Sequence, residues 1–496
     1  MREFLDTALN TATSNGASYA DIRISRHKNQ SIRTRENRVD GISNSESYGF
    51  GVRVLVAGTW GFAASHRLTK NNVAKITRRA LEIAQANKVA QRLPVELAAV
   101  ASYDDEWLSP IEKDPFQVPI DEKIDLLLTV NAEALKVEGA KYCSSSMLFM
   151  NEEKHFASTE GSYIFQNIHR AWPSFTVTAI DIQRGEFETR SLDVSPMGSG
   201  YEYVDQSNLI EQAPVIAAEA VQKLTAKSVE PGPKDLILHP SHLWLTIHES
   251  VGHPTELDRA LGYEANYAGT SFLTVDKMGT LKFGSDIVNF VADKTIDNGL
   301  ATCGYDDDGV KTTEWYLVKD GIFIDYQTTR DQVHWDEYRN ARKSAGLPEV
   351  NHSYGCSYGD SWSSIPFQRM PNIHLEPGKD QLTLDDLIAD TEDGIYIVGD
   401  ASYSIDQQRY NFQFSGQSFF EIKKGKIVGM LKDVAYQANT QEFWNSCDAI
   451  CDKRSWELGG SYYDGKGQPG QSNAVSHGCS PARFRKVNVL NTQKQI

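Results

Sequence analysis

Residues 235–254 read DLILHPSHLWLTIHESVGHP, and the strongest structural signals of the chain lie in this stretch. A short apolar strand, Asp235 to Pro240, precedes a helix that we expect to begin near Ser241, because serine is a good helix N-cap. Four apolar residues then recur at helical spacing and form one stripe: Leu243, Trp244, Ile247 and Val251. The stretch therefore predicts a strand followed by a helix that packs its apolar stripe into a core.

The helix runs into His248-Glu249-Ser250-Val251-Gly252-His253, in which the two histidines are five residues apart. In an ideal α-helix five steps turn the chain by roughly 500°, which would hold the two rings about 140° apart. Gly252 tolerates non-helical angles, and Pro254 pushes His253 away from the helical region. We therefore expect the helix to bulge or end at Gly252, either by a break or by a single-residue π-bulge.

Such a bulge would let His253 turn back toward His248, and two imidazoles beside a carboxylate are suited to zinc chemistry. We predict His248 and His253 as ligands of Zn²⁺, and Glu249 as the base that takes a proton from a water activated by the ion. The competing interpretation is two unrelated histidines, one of which caps the helix C-terminus.

Several further segments make the chain resemble the TldD half of the TldD/PmbA family of metallopeptidases. After the HExxxH motif the family has a Glu-x-Asp step, a Glu and an Ala-Gly-Thr-Ser run. These correspond here to Glu256, Asp258, Glu264 and residues 268–271. The segments at 304–309, 369–372, 411–415, 465–469 and 476–478 also resemble family motifs, and the resemblance is densest after about residue 235.

The resemblance also implies a third metal ligand. TldD proteins place a cysteine directly before Gly-Lys in the C-terminal signature, and Asp464 stands at that position here. A carboxylate can bind zinc, which would give a His₂Asp set, although it is a harder and less charge-donating ligand than a thiolate. The rivals for this position are His477, Cys479, Glu256 and Glu264.

The implied function is that of a zinc peptidase acting on unfolded or extended peptides inside the enclosed cavity of a dimer. The resemblance allows two kinds of dimer, a homodimer or a heterodimer with a PmbA-type partner. The alternative is a non-catalytic peptide-binding or assembly subunit of such a complex. The intact motif at residues 248–253 favours the enzyme, whereas Asp464 favours the alternative.

Composition limits the remaining possibilities. A formal net charge of −16 argues against nucleic acid as a partner, because phosphate binding needs a positive field. No stretch approaches 18 apolar residues, so we expect no membrane association. The first 16 residues include Asp6 and predict an amphipathic helix rather than a signal peptide, which favours a cytoplasmic protein.

We predict an α+β fold that divides at the Pro- and Gly-containing segment 229–233. Residues 1–228 form the N-terminal α/β region of antiparallel strands and helices, with a possible further break near 100–118. Residues 234–496 form a β-rich domain that carries the HExxxH helix. In the first region we expect a helix at 3–14, strands at 19–26, 30–36 and 48–57, and helices at 69–87, 121–137 and 207–227.

Overall fold

The computed structural model describes residues 1–493, and its N-terminal part is one seven-stranded sheet with helices. The strands are β1 Tyr19–Arg35, β2 Arg38–Val56, β3 Thr59–Ser65, β4 Asp104–Leu108, β5 Ala140–Ser158, β6 Tyr163–Asp181 and β7 Glu186–Ser191. The helices are α1 Arg2–Ser14, α2 Lys70–Asn87, α3 Ile120–Ala134, α4 Glu202–Gln206 and α5 Leu209–Leu224. The sheet order is β3-β2-β1-β5-β6, and β6 also pairs with β4 and β7.

The long central strands of this sheet correct one detail of the sequence-based prediction. We expected a break between 19–26 and 30–36, but β1 is continuous through His27, Lys28 and Asn29. Both edges of β1 are paired there, with β2 on one side and β5 on the other. Because the neighbouring strands satisfy its backbone, a polar run can remain in the middle of a strand.

The two faces of the N-terminal sheet have different partners. Ile22, Ile24 and Ile32 share one face of β1, since alternate residues of a strand point the same way. They pack into the cores that the sheet forms with α1 and α2 and with α3 and α5. Arg23 lies on the opposite face and reaches Asp307 in the C-terminal part of the chain.

The C-terminal part is β-rich, as predicted, and the α+β fold class is confirmed. Its strands are β8 Lys227–Ser228, β9 Gly232–Leu238, β10 Phe290–Asp293, β11 Glu314–Lys319, β12 Ile322–Phe323, β13 Ser357–Tyr358, β14 Phe367–Gln368, β15 Ile373–Leu375, β16 Asp393–Ile405, β17 Asn411–Lys423, β18 Lys426–Lys432, β19 Val434–Asn439, β20 Cys447–Ile450, β21 Glu457–Lys466, β22 Gln471–Cys479 and β23 Ala482–Asn491. The helices are α6 Pro240–Ile247, α7 Leu257–Ala260, α8 Asp336–Ser344, α9 Leu384–Ala389 and α10 Thr440–Asn445.

These strands form a barrel and a second sheet. The order β16-β9-β23-β19-β17 closes on itself because β16 also pairs with β17. The second sheet has the order β12-β11-β10-β15-β22-β21. Helix α6 contacts β16 of the barrel and also β21 and β22 of the second sheet. It is therefore enclosed, and all eight of its residues are buried.

The seam between the two parts of the chain is charged. Asp307 accepts hydrogen bonds from Arg23 at 2.9 Å and from Lys154 at 2.7 Å, and all three side chains are buried. Next to it, Arg53 of β2 pairs with Asp308 at 2.6 Å. The turn at 305–311 therefore docks on the N-terminal sheet through its aspartates. The domain boundaries at residues 228 and 234 stay a prediction from sequence.

None of the helices within residues 1–493 is both long and apolar enough to cross a bilayer.

Candidate metal centre

The proposed metal-binding residues begin where α6 ends. The N-cap of α6 is His239 rather than Ser241, and the His239 side chain accepts from the backbone N–H of Ser241. After Ile247 the helix widens into a π-turn over His248–Gly252, and a short 3₁₀ turn, His253–Thr255, follows. The predicted bulge is thus present, but its expected cause was wrong, since Gly252 (φ −57°, ψ −62°) and His253 (φ −63°, ψ −44°) both keep helical dihedral angles. The bulge accommodates the extra residue of the motif, because a π-turn rotates the chain by a smaller angle per residue than an α-turn does.

As a result, the two histidines face each other. Their ring centroids are 4.7 Å apart, and both rings are buried. One possible ligand atom from each of His248, Glu249 and His253 lies within 4.8 Å of the other two. The unrelated-histidine interpretation requires separated rings, and the π-turn brings them together instead.

Asp464 enters this cluster from β21. Its Oδ1 is 3.5 Å from Nε2 of His248 and 3.6 Å from Nε2 of His253. Two ligand atoms bound to one tetrahedral zinc, each at about 2.0–2.1 Å, are separated by roughly 3.3–3.4 Å. Both distances from Asp464 to the imidazole nitrogens are therefore close to the separation of two ligands on one zinc ion. Arg369 holds Asp464 in place by bonding its backbone carbonyl and approaching its Oδ2 at 3.4 Å.

His477 lies on the far side of His248 from Asp464. Its Nε2 is 2.8 Å from Nδ1 of His248, and its own Nδ1 is 3.2 Å from the carbonyl oxygen of Ile373. This arrangement leaves Nε2 of His248 to face Asp464. His477 therefore orients the candidate ligand His248 through a hydrogen bond to Nδ1, and it does not compete with Asp464 for a place on the metal.

Glu256 has the same relation to His253. Its Oε2 is 3.3 Å from Nδ1 of His253, and the carboxylate is also held by Arg259 at 2.8 Å and Lys466 at 3.2 Å. Lys466 in turn reaches Asp258 at 2.9 Å. The Glu-x-Asp step and the lysine of the Gly-Lys signature thus form one buried ionic network behind the histidine.

The remaining rivals are not drawn into the cluster. Within residues 1–493, neither Glu264 nor Cys479 has a hydrogen bond or ion pair with His248, His253 or Asp464. Glu264 instead accepts the backbone N–H of Gly467 at 3.3 Å. Cys479 lies opposite Glu457 in the pairing of β22 with β21.

The protonation states of His253 and Asp464 suit metal binding. At His248, burial lowers the pKa, but the hydrogen bond and charge of Asp464 outweigh it and raise the pKa above its usual value. Burial, assisted by the positive charge of Arg409, lowers the pKa of His253 to about 4, so this imidazole is neutral near pH 7. Burial opposes ionisation of Asp464, but the neighbouring His253 and His248 outweigh it and hold the pKa of Asp464 below its usual value. A neutral imidazole and an ionised carboxylate are the forms that bind zinc.

Sequence reasoning missed one residue of the site. Arg409, in the loop between β16 and β17, donates from Nη1 to Oε2 of Glu249. Its side chain is 14% exposed, and that of Glu249 is 5% exposed. No local motif marks Arg409, because it lies 160 residues away from Glu249 in the chain.

Comparison with known proteins agrees with this picture. Family models for PmbA/TldA metallopeptidases match at residues 20–84 (domain 1), 113–227 (central domain) and 231–491 (C-terminal domain). A metalloprotease of Methanothermobacter thermautotrophicus is 27% identical over 96% of both chains. A zinc metalloprotease TldD homolog of Saccharolobus solfataricus is 23% identical over 96% of this chain and 97% of its own.

The fold also matches a solved structure. TldE from Thermococcus kodakarensis superposes with a TM-score of 0.71 at 16% identity, over 98% of this chain and 99% of its own. The matching models cover all three parts of the chain, and the largest of them spans residues 231–491, which include the cluster around His248. The chain therefore belongs to the PmbA/TldD family of metallopeptidases.

Proposed function

We propose that the chain is a zinc-dependent peptidase that hydrolyses unfolded or extended peptides inside the enclosed cavity of a dimer. The observation that carries this proposal is the convergence of His248, His253 and Asp464 beside Glu249. We assign the first three as metal ligands and Glu249 as the general base. The zinc metalloprotease name of a relative with full-length similarity supports the same reading.

The assigned roles follow from the chemistry of the side chains. A bound zinc ion would polarise a peptide carbonyl and make a water molecule more acidic. Glu249 is adjacent in sequence to His248, so its carboxylate can take the proton from the attacking water and pass it to the departing amine. His477 and Glu256 keep the two imidazoles in the orientation that presents Nε2.

Burial of the site supports an extended substrate. The side chains of Glu249, His253 and Asp464 are 4–5% exposed, so a folded protein surface cannot reach them. Next to them, β16 continues to Ile405, whereas its pairing with β9 stops at Ile397. A peptide could add to the edge of β16 beyond this point through backbone hydrogen bonds, which need no particular sequence.

Tyr403 places that edge near the proposed base. Its ring is 58% exposed, and the charge of Glu249 is the largest influence raising its pKa. A peptide that paired with this part of β16 would therefore pass close to Glu249. The dimer, with a second copy or with a PmbA-type partner, would close the cavity. A cytoplasmic location and the absence of nucleic-acid and membrane partners also belong to the proposal.

One observation favours a second candidate function. Asp464 replaces the cysteine expected before Gly465-Lys466, and a carboxylate gives a different metal affinity from that of a thiolate. If the site did not retain zinc, the chain would be a non-catalytic subunit that binds peptides or supports assembly. Metal occupancy separates the two candidates.

The decisive experiment measures zinc and hydrolysis together. We expect about one zinc per purified chain by elemental mass spectrometry, and cleavage of a mixed-sequence, internally quenched peptide pool. Glu249→Gln should keep the zinc and lose the cleavage, because the variant retains the ligands but has no base. A chain that binds no zinc even after zinc is added back would favour the non-catalytic subunit.

Two further measurements test the substrate and the assembly. The same enzyme should cleave carboxymethylated, unfolded casein and leave a stable folded protein intact. Light scattering should give twice the chain mass for the chain alone, or the summed mass of the two chains after a PmbA-type partner is added. Equal cleavage of folded and unfolded proteins would contradict the enclosed cavity.

A further inference from the structure

Arg409 is a partly buried cation that reaches the proposed base from a distant segment of the chain. It belongs to the loop between β16 and β17, whereas Glu249 belongs to the π-turn after α6. Its Nη1 donates to Glu249, and within residues 1–493 its buried Nε has no hydrogen-bond partner. A guanidinium carries five N–H donors, so this one keeps donor capacity beyond its bond to the carboxylate.

The loop holds Arg409 rigidly. Its φ of 63° lies in the left-handed region, which is costly for a residue with a side chain and is found mainly where the surroundings impose it. The carboxylate of Asp406 accepts the backbone N–H groups of Gln408, Tyr410 and Asn411 at 2.9–3.1 Å. Thr440 donates from Oγ1 to the carbonyl of Arg409 at 2.8 Å.

The other side of the loop is held by the Ala-Gly-Thr-Ser run. The backbone N–H groups of Thr270 and Phe272 donate to the carbonyls of Gln407 and Gln408 at 2.9 and 2.8 Å. Gly269 allows this close approach, because a Cβ there would lie 2.2 Å from the carbonyl oxygen of Gln407. A side chain fixed in this way is pre-organised, as a group must be if it stabilises charge in a transition state.

The position of Arg409 relative to Glu249 indicates which negative charge on a bound substrate Arg409 can contact. A general base lies about 2.6–3.2 Å from the water that it deprotonates. That water in turn lies about 3–3.5 Å from the carbonyl carbon that it attacks. A guanidinium bonded to Glu249 is therefore separated from the attacked carbonyl by the carboxylate and its water alone.

We infer that Arg409 is a catalytic residue that donates hydrogen bonds to the oxygen of the scissile carbonyl as negative charge develops there. The inference rests on the proposed peptidase function. In the step concerned, the water oxygen bonds to the carbonyl carbon, the π pair moves to the carbonyl oxygen, and Glu249 takes the proton. The C–N bond then breaks as the carbonyl re-forms, and Glu249 returns the proton to the amine nitrogen.

The same arrangement allows Arg409 to bond either the carboxylate of Glu249 or the carbonyl oxygen of the substrate. Before substrate binds, its charge is paired with Glu249. When the carbonyl oxygen becomes negative, it competes with Glu249 for the guanidinium. Glu249 has by then accepted a proton and is neutral, so it attracts the guanidinium less strongly. Arg409 can thus move from one oxygen to the other without leaving a buried charge unpaired.

The test compares Arg409→Gln and Arg409→Lys with wild type and with Arg454→Gln, which alters an exposed arginine paired with Asp452. On the quenched peptide pool, Arg409→Gln should lower kcat by about 10²–10³-fold and leave KM within about threefold. Arg409→Lys should recover part of the loss, because it restores the charge but not the forked donors. Arg454→Gln should match wild type.

Two readouts do not depend on turnover. The zinc content of Arg409→Gln should equal that of wild type. Its affinity for a phosphinic peptide, whose tetrahedral anionic group mimics the transition state, should fall by the same factor as kcat/KM.

The outcomes separate the inference from the function on which it rests. If wild type cleaves no peptide, the proposed function fails, while the phosphinic peptide still tests Arg409. Equal phosphinate affinity in wild type and Arg409→Gln would overturn the inference. It would also be overturned by a rise in KM with kcat unchanged, or by loss of zinc from Arg409→Gln, since Arg409 would then only bind substrate or hold the site together.

Discussion

Nε2 of His477 accepts a hydrogen bond from Nδ1 of His248 across 2.8 Å, and this contact fixes which nitrogen of His248 can bind a metal. The carbonyl oxygen of Ile373 can only accept, so Nδ1 of His477 must carry a proton. Burial and the neighbouring His248 lower the pKa of His477 well below its usual value, so the ring is neutral and its Nε2 is unprotonated. His248 must then donate from Nδ1, which leaves Nε2 as the ring nitrogen that faces Asp464 and can bind a metal when it is unprotonated.

His477→Ala should therefore weaken zinc binding without abolishing it. Removing a group that orients a ligand typically costs about 10–100-fold in metal affinity, whereas removing a ligand costs more. Competition with a chromophoric chelator measures this affinity. Asp464→Ala serves as the comparison and should lose more. If the two variants ranked in the opposite order, His477 would be the ligand and Asp464 the supporting residue.

Asp464→Cys should restore the ligand typical of TldD proteins and strengthen zinc binding, by roughly tenfold or more, because a thiolate donates more charge than a carboxylate. With cobalt in place of zinc, the variant should also gain a sulfur-to-metal charge-transfer band in the near ultraviolet. Ser461→Cys, which places a thiol elsewhere on β21, controls for adventitious binding. A spectrum without the new band would show that residue 464 does not contact the metal.

Lys466→Met should destabilise the protein by about 3–5 kcal/mol, because it leaves Asp258 as an uncompensated buried charge and Glu256 with Arg259 as its remaining cation. Chemical denaturation of the metal-free protein measures the free energy of unfolding, or the unfolding rate if refolding fails. Lys453→Met, at an exposed position, should change it by less than about 0.5 kcal/mol. A Lys466→Met variant as stable as this control would mean that the two carboxylates are not both ionised in the folded protein.

Gly269→Ala should lower kcat while zinc content stays unchanged, because the added Cβ would displace Gln407 and with it the loop that positions Arg409. Steady-state kinetics on the quenched peptide pool and elemental analysis of the same preparation give both quantities. Gly429→Ala is the matched control, because a Cβ at that position would have open space around it. Full activity in Gly269→Ala would mean that the loop tolerates the shift.

Much of this site could be predicted from local sequence. The five-residue spacing of His248 and His253 predicted the bulge that the π-turn provides, but the effects expected of Gly252 and Pro254 were wrong, because Gly252 and His253 keep helical dihedral angles. The bulge depends on a short stretch of chain. Asp464, in contrast, was assigned as a ligand from the resemblance to TldD proteins, which have a cysteine before the corresponding Gly-Lys.

Other features depend on contacts between distant segments and could not be predicted in this way. His477 looked like a possible ligand, and only the pairing of β15 with β22 places its ring behind His248. Arg409 carries no local signal, since a loop arginine is ordinarily solvated. The continuous β1 strand was misjudged because its polar centre is stabilised by neighbours on both sides rather than by its own residue types.

The charged seam has a consequence for how the protein can be divided. Arg23, Lys154 and Arg53 come from the N-terminal sheet, while Asp307 and Asp308 come from the part that carries the metal centre. If the chain were cut at the linker, Arg53 and Lys154 would keep Asp21 and Glu152 as partners on their own sheet, whereas the two aspartates would lose the cations that pair with them across the seam. The piece with the aspartates would therefore repel itself at that turn, and the covalent link keeps the opposite charges at high local concentration during biosynthesis. A catalytic fragment designed by deleting the N-terminal sheet would therefore need those aspartates neutralised before it could fold as an independent unit.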